Sequence, residues 1–335
     1  MNPDRPTFSC IMPTYNRCDV VEEALRRLVA CDFPDDRYEI VVADNSDDGL
    51  PDMVERMART SKVPIRLLYS DERFVSRKRN VAVREATGDY VVLMNSDLWV
   101  REDFLAEHER AHRLHPGPVA ITGHVEQSPE MPRDPFVDWY TPFSYNELVD
   151  RVGEPLEWWF FWSMNLSVPR SEMVERNLMF HEDWGIISGH EDVELGYRWT
   201  KAGNPLIYHP GAWGDHYHPH SLASACELQE TLGRGMRDVE VLCPDPGLLE
   251  RYGIFSLHNR PAVAARGLGR QALFNRVTAP PLMRWLNEHP KDSRLRRWTY
   301  WKVLLHYTNR GYREAPPRHP VPLVTGPPLR EAAAS

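Results

Sequence analysis

The sequence predicts an α/β fold, a mostly parallel mixed sheet with flanking helices, followed by a C-terminal helical extension. Three observations carry this. From Phe8 to Leu93, short apolar runs alternate with helix-period segments across brief links, the pattern of βαβ units with right-handed crossovers. Several runs end abruptly in polar residues, as strands do where an open sheet offers its carboxyl edge to a ligand. Beyond His220 helical periodicity predominates.

Phe8-Ser9-Cys10-Ile11-Met12, stopped by Pro13, is the first predicted strand. Asp19 and Glu22 stand in a capping-box-like spacing at the start of a helix whose apolar positions are Val20, Val21, Ala24, Leu25, Leu28 and Val29. Residues 38–43 form the second strand, 52–59 a helix, and 65–69 the third strand. Residues 75–86 read as a helix with Val81 and Ala82 inward and its Arg and Lys outward. The fourth strand, entered from Thr87-Gly88, runs from Tyr90 to Met94 and into Asn95-Ser96-Asp97. In an extended segment residues two apart share a face, so Asn95 and Asp97 would present an amide and a carboxylate together; the alternative is a strand running into an Asn-Ser-Asp turn. The links at 13–17, 44–49 and 95–99 then share one sheet edge, and three polar loops converging there favour a nucleotide-binding edge.

Phe104 to Leu114 is a further helix, with His108, His112 and His115 near one face. A solvated helix face is the expectation there, with a metal cluster as the rival. Residues 119–122 form a strand. The stretch 126–154, rich in Pro, Asp and aromatics, is a candidate flap, since long loops inside compact domains are usually functional or mobile. Residues 156–168 read as a strand-like aromatic run, and Trp residues crowd 139–213, as core or as a ligand groove. Asn165 within that run is a buried amide in need of partners, for which a sugar hydroxyl is one candidate.

Glu191, Asp192 and Glu194 open a helix. Carboxylates there complement the helix dipole. Crowding also raises their proton affinity, which suits a general base. Residues 205–208 form a strand leading to His216, His218 and His220, which are metal ligands or a polar loop. Helices follow at 222–242, 261–277 and 294–307. The last combines basic and aromatic residues and fits packing on the catalytic domain, a second subunit or a membrane surface. The Pro-rich tail from Ala315 is expected to be extended or disordered.

Composition narrows the function classes. With 335 residues, 42% apolar and 26% charged, the chain has an ordinary globular makeup, and its net charge of −8 argues against a nucleic-acid partner. Five cysteines without CxxC spacing suggest neither a disulfide framework nor a zinc site. The first residues lead straight into a strand, leaving no room for a signal peptide, and no apolar run is long enough to span a bilayer. A cytoplasmic location is expected.

Taken together, these residues resemble the inverting family 2 glycosyltransferases of GT-A fold, which is Rossmann-like. Pro13-Thr14-Tyr15-Asn16-Arg17 resembles the family's first-strand motif. Val41-Val42-Ala43-Asp44-Asn45-Ser46-Asp47-Asp48-Gly49 is similar to the stretch that holds the nucleoside. Arg79-Asn80 and Ala86-Thr87-Gly88-Asp89-Tyr90 are similar to the lead-in to the Asp-x-Asp metal motif, which aligns with Asn95-Ser96-Asp97. Asn165-Leu166-Ser167 looks like the sugar-side loop, Glu191-Asp192-Val193-Glu194-Leu195 like the catalytic-base motif, and His216 like a metal- or diphosphate-binding His. The match runs from about Thr7 to Pro219. Two departures stand out: Arg73-Phe74-Val75 replace the usual Gly before the Arg-Asn pair, and Asn95 replaces the first metal-motif Asp, which implies weaker metal binding carried on Asp97.

The resemblance implies a glycosyltransferase moving a sugar from a nucleotide-diphosphate donor, UDP being the commonest family choice, to an acceptor nucleophile with inversion. Asp192 would be the general base, assisted by Glu191. Pro13, Thr14, Tyr15, Arg17, Asp44, Arg79, Asn95 and Ser96 would bind the nucleotide and diphosphate. Trp162, Asn165 and Glu191 would meet the sugar or the acceptor. Asp97 and His216 would hold Mn²⁺ or Mg²⁺. The acceptor would be a small molecule, such as a natural product, or a cell-surface glycan. The rivals are a metal-independent or non-catalytic nucleotide-sugar-binding homologue, or a nucleotidyltransferase. The expected division is a nucleotide-sugar-binding and catalytic domain over 1–220, a helical extension over 221–314 serving the acceptor site or a homodimer interface, and a flexible tail over 315–335.

Overall fold

The computed structural model describes residues 7–69, 74–140, 145–182, 189–245, 247–254, 261–289 and 292–315. The N-terminal hexapeptide, Arg73 and the tail at 316–335 lie outside the described residues. In chain order the elements are β1 (Phe8–Thr14), α1 (Cys18–Val29), β2 (Tyr38–Asp44), α2 (Leu50–Thr60), β3 (Ile65–Tyr69), α3 (Val75–Glu85), β4 (Tyr90–Met94), β5 (Leu98–Val100), α4 (Phe104–Leu114), β6 (Ala120–Gln127), β7 (Asn165–Pro169), α5 (Arg170–Val174), α6 (Glu191–Lys201) and β8 (Leu206–His216). Five helices follow: α7 (Leu222–Leu242), α8 (Leu248–Arg251), α9 (Pro261–Leu273), α10 (Ala279–Glu288) and α11 (Arg294–Glu314).

The strands form one mixed sheet in the order β3-β2-β1-β4-β7-β6-β8-β5. β3, β2, β1 and β4 run parallel, β7 is antiparallel to both its neighbours, β6 and β8 are parallel, and β5 closes the far edge antiparallel to β8. The central strands are covered on both faces, which is why they read as unbroken apolar runs: every residue of β2 is buried, as are Cys10, Ile11, Met12, Val91, Val92 and Leu93. β1, β2 and β4 end on the same edge, so the three polar loops do converge.

Three expectations are corrected and one alternative is decided. No capping box forms at Asp19 and Glu22; α1 begins after Arg17, which is left-handed (φ 66°), and the first helical N–H, on Cys18, donates to Asp48 Oδ2 at 3.0 Å. Of the two readings for residues 95–97, the extended one gives way to the turn, with Leu98 N bonded to Asn95 O at 3.3 Å. The aromatic run is not a strand until Asn165; Trp158–Phe160 is a single 3₁₀ turn. His108 and His112 are buried rather than solvated.

Those two histidines belong to a polar chain that crosses the sheet. His112 Nε2 meets Ser167 Oγ at 2.8 Å, Ser167 Oγ meets His108 Nδ1 at 2.8 Å, and His108 Nε2 meets Asn165 Oδ1 at 3.0 Å. The Asn165 amide nitrogen then donates to His124 O (3.1 Å) and Ala212 O (2.8 Å). Burial pushes the His108 imidazole down to about 3, keeping the ring neutral. A buried amide has found its partners within the protein, joining α4, β6, β7 and β8.

α7 opens with a capping box between Ser221 and Ser224 and packs along α11. The expected flap is anchored in its middle: the Phe136 ring lies 5.0 Å from that of Tyr300 on α11, and Trp139 stacks on Tyr300 at 5.2 Å. Among the described residues no helix is long and apolar enough to cross a membrane.

Candidate active site

The first wall of the site is built by the ends of β1 and β2, where Thr14 pairs in register with Asp44. Asp44 is fully buried. Its Oδ1 accepts from Thr14 Oγ1 at 2.7 Å and from Ser46 Oγ at 2.5 Å, and its Oδ2 accepts from Ser46 N at 3.0 Å. The Ser46 hydroxyl also takes Asn16 N at 2.6 Å, fastening the two loops together. Pro13 is the penultimate residue of β1, and Tyr15 beyond it is 61% exposed, open to stack on a ligand. Under this wall lies Lys78 of α3, whose Nζ donates to Thr14 O at 2.5 Å and to Asn45 Oδ1. Lys78 and Arg79 are buried, contrary to the expectation that the α3 cations face outward; burial lowers the proton affinity of Lys78.

At the end of β4 the chain turns, and Asn95 and Asp97 go to different partners. Asp97 is buried beside the end of β8, with His218 Nδ1 2.8 Å from its Oδ2 and His216 Nε2 3.4 Å from its Oδ1. Burial opposes ionisation of this carboxyl, but the His216 and His218 rings outweigh it and hold Asp97 well below the usual carboxylate range. Tyr217 N donates to Asp97 O at 2.8 Å, so the end of β8 and the residues just beyond it hold both histidines against the turn. One oxygen of Asp97 and one nitrogen from each of His216 and His218 lie within 4.8 Å of one another, the only such group of three or more among the described residues. A carboxylate and two imidazoles fit a divalent transition ion such as Mn²⁺ better than Mg²⁺, which prefers oxygen ligands throughout. Oδ1, which faces His216 Nε2 at 3.4 Å, longer than an ordinary hydrogen bond, is the carboxylate oxygen placed to ligate it. His220, third of the alternating histidines, lies outside the group and stacks on His218 at 4.3 Å.

The third wall joins α3 to the first turn of α6. Arg79 Nη1 donates to Glu191 Oε1 at 2.7 Å, and its Nη2 reaches Asn95 Oδ1 at 3.4 Å. Glu191 Oε2 accepts from Gly189 N at 2.8 Å. Asp192, beside it, accepts from Ser163 N (3.0 Å) and Ser163 Oγ (3.1 Å) on Oδ2 and from Val193 N (2.8 Å) on Oδ1. Burial and the Glu191 charge push the Asp192 carboxyl up to about 6. Trp162, adjacent to Ser163, is half-buried and meets Tyr145 edge-on at 5.0 Å.

Arg79 thus links the Asn95 turn to the Glu191-Asp192 corner, and Thr14, Asp44, Asp97, His216 and Asp192 stand on loops or strand and helix ends of that system. Ser96 is half-exposed in the turn. Asn165 is not brought in; its amide is held in the polar chain described above. Lys78, Ser46, Ser163 and His218 were not singled out as site residues by sequence reasoning. His218 stood in the alternating histidines. Lys78 gave no signal beyond membership of a basic helix, whose default is solvent.

Residues 9–168 match the description Glycosyl transferase family 2. Among curated proteins the chain is 25% identical over 240 residues to validoxylamine A glucosyltransferase of Streptomyces hygroscopicus subsp. jinggangensis, covering 62% of this chain and 55% of that protein. It is 28% identical over 243 residues to the uncharacterized glycosyltransferase YfnE of Bacillus subtilis, covering 58% and 60%. The chain therefore spans between half and two thirds of the length of these relatives. Among solved structures it is similar to the mannosyltransferase PcManGT from Pyrobaculum calidifontis in complex with GDP-Man and Mn²⁺, with a TM-score of 0.61, 22% identity and coverage of 92% and 88%. It is also similar to S. aureus TarS 1-349 in complex with UDP, with a TM-score of 0.52, 18% identity and coverage of 92% and 91%. These likenesses concern the fold.

Proposed function

From a chain that belongs to the family 2 glycosyltransferases and has their GT-A fold, we propose an enzyme that transfers a sugar from a nucleotide-diphosphate donor to a hydroxyl acceptor with inversion. The observation that carries this is the Asp97–His216–His218 group beyond the carboxyl end of β4, in the same turn as Asn95, which Arg79 joins to Glu191 beside the raised carboxyl of Asp192. Asp97, His216 and His218 would hold a divalent cation, whose Lewis acidity would supply neutralisation of the charge that develops on the departing nucleotide.

Asp44 Oδ2 keeps acceptor capacity for an N–H of the base, and Tyr15 offers its exposed ring to it. Arg79, already paired to Glu191, positions that carboxylate for the sugar or acceptor rather than reaching the diphosphate itself. Asp192 takes the acceptor's hydroxyl proton as its oxygen bonds to the anomeric carbon, and the bond from that carbon to the nucleotide oxygen breaks on the opposite side. A carboxyl near pH 6 is ionised at neutrality yet basic enough for this.

Uridine is the proposed base and Mn²⁺ the proposed ion; similarity to folds solved with UDP and with GDP-Man and Mn²⁺ supports a donor of this class. A small polyhydroxylated natural product or a cell-surface glycan is the proposed acceptor. A thermal-shift screen of UDP- and GDP-sugars with Mn²⁺ tests the reading, since a ligand bound only by the folded state raises its stability. No shift with any donor would overturn it.

A further inference from the structure

Arg17 stands where the cation would act. Its Nη1 is 2.8 Å from Asp97 Oδ2 and 3.0 Å from His218 Nδ1, and its Nη2 donates to Tyr217 O at 3.0 Å. The guanidinium therefore touches a carboxylate and an imidazole of the three-residue group and occupies the same Asp97 oxygen that faces His218. Asn95, two residues before Asp97, contributes no charge. The guanidinium thus sets its positive charge directly against the one carboxylate of the group, leaving less negative charge there to attract a dication. Asp97 keeps 8% of its side-chain surface exposed and Arg17 keeps 34%, so the arginine lies on the open side of the carboxylate.

Resting on the metal-assisted reading above, we propose that Arg17 is an exchangeable cation. It neutralises Asp97 while the site is free of ligand. It leaves that oxygen when the metal enters, and pairs instead with the diphosphate, the one group in the reaction able to receive a planar guanidinium on two oxygens. Metal and diphosphate then bind as a coupled pair, because each relieves the arginine of its conflict with the other. Asn16 and Arg17 are both left-handed (φ 54° and 66°), and Asn16 is tied to the second loop by its backbone N–H, which donates to Ser46 Oγ, and by its side-chain Oδ1, which accepts from Asp47 N. The exchange therefore falls to the side chain, with the backbone held.

Manganese binding followed by electron paramagnetic resonance, with Mn²⁺ alone and no nucleotide, tests this without reference to turnover. Arg17→Gln is expected to bind Mn²⁺ at least fivefold more tightly than the natural chain, Arg17→Lys to stay within twofold of it, and Asp97→Asn to lose binding. Added UDP is expected to tighten Mn²⁺ more in the natural chain than in Arg17→Gln. Equal or weaker binding by Arg17→Gln, with Asp97→Asn still defective, overturns the exchange and leaves the metal reading standing. Absence of Mn²⁺ binding in every form, with or without UDP, overturns both.

Discussion

Arg79 and Glu191 form an ion pair of 2.7 Å in which the two side chains keep only 4% and 2% of their surfaces exposed. The pair spans α3 and α6, and nothing at this depth can replace either charge with water. Breaking a buried pair from one side leaves the other charge uncompensated, at a cost of about 3 kcal/mol. Arg79→Met is expected to lose about that much in urea unfolding, and Arg79→Met combined with Glu191→Gln to lose less than the single change. Equal losses would mean that packing, including the guanidinium 5.2 Å from the Phe180 ring, matters more than the charge.

Asp192 gives a prediction with a sign. Its carboxyl is pushed up to about 6, first by burial and then by Glu191. Transfer should fall on the acid side with an apparent value near 6, as the base is protonated. Ser163→Ala removes a hydroxyl that bonds the ionised form at 3.1 Å, so the same limb should move upward. Asp192→Asn is expected to lower turnover by about 10²- to 10⁴-fold with donor affinity within twofold of the natural chain. The folded protein binds more protons than the unfolded between the unfolded carboxyl value, about 3.9, and 6, so ionised Asp192 costs stability as pH rises through that window. Asp192→Asn should therefore be the more stable protein at pH 7, by an amount on the order of 1 kcal/mol. Near-full turnover would remove Asp192 from the base role, and lower stability would mean that the hydrogen bonds it accepts outweigh the cost of its buried charge.

The metal group allows a graded test. His216→Ala and His218→Ala each remove one ligand and are expected to weaken Mn²⁺ by about tenfold or more, in line with losses seen on disturbing metal sites. Mg²⁺ should substitute poorly, because two of three ligands are imidazoles. Chelation followed by titration with each ion, read as UDP binding, distinguishes this from a metal-independent enzyme, in which chelator would change nothing.

Much of this site was legible in the sequence because its walls are ends of buried strands, and a strand covered on both faces writes a continuous apolar run. The three converging loops followed from that alone. What stayed hidden was non-local. The cap of α1 comes from Asp48, thirty residues on. Asn165 finds its partners on α4, β6 and β8, none of them sequence neighbours. Lys78 is buried against Thr14 and Asn45, which no helical periodicity reveals, since a lysine on a basic helix defaults to water. The sequence leaves 95–97 open because Asn-Ser-Asp suits either an extended end or a turn, and tertiary partners decide: Arg79 draws Asn95 one way, His216 and His218 hold Asp97 the other.

The α7–α11 packing rests on two glycines. A side-chain carbon on Gly233 would collide with Thr308 O, and one on Gly311 with Glu230 O, both backbone atoms of the opposing helix that no rotamer can clear. The helices can approach this closely only while both positions lack a Cβ. In an isolated helix Gly→Ala is favourable by roughly 0.8–1 kcal/mol, but here the overpacking cost of about 1–3 kcal/mol opposes it, and with backbone as the obstacle the upper part of that range applies. Gly233→Ala and Gly311→Ala are each expected to destabilise the protein by about 1–2 kcal/mol net in urea unfolding. Gly269→Ala, on α9 with nothing within 4 Å of the added carbon, serves as the control and should be neutral or stabilising. If all three behave alike, the close crossing of α7 and α11 is not what holds these helices together.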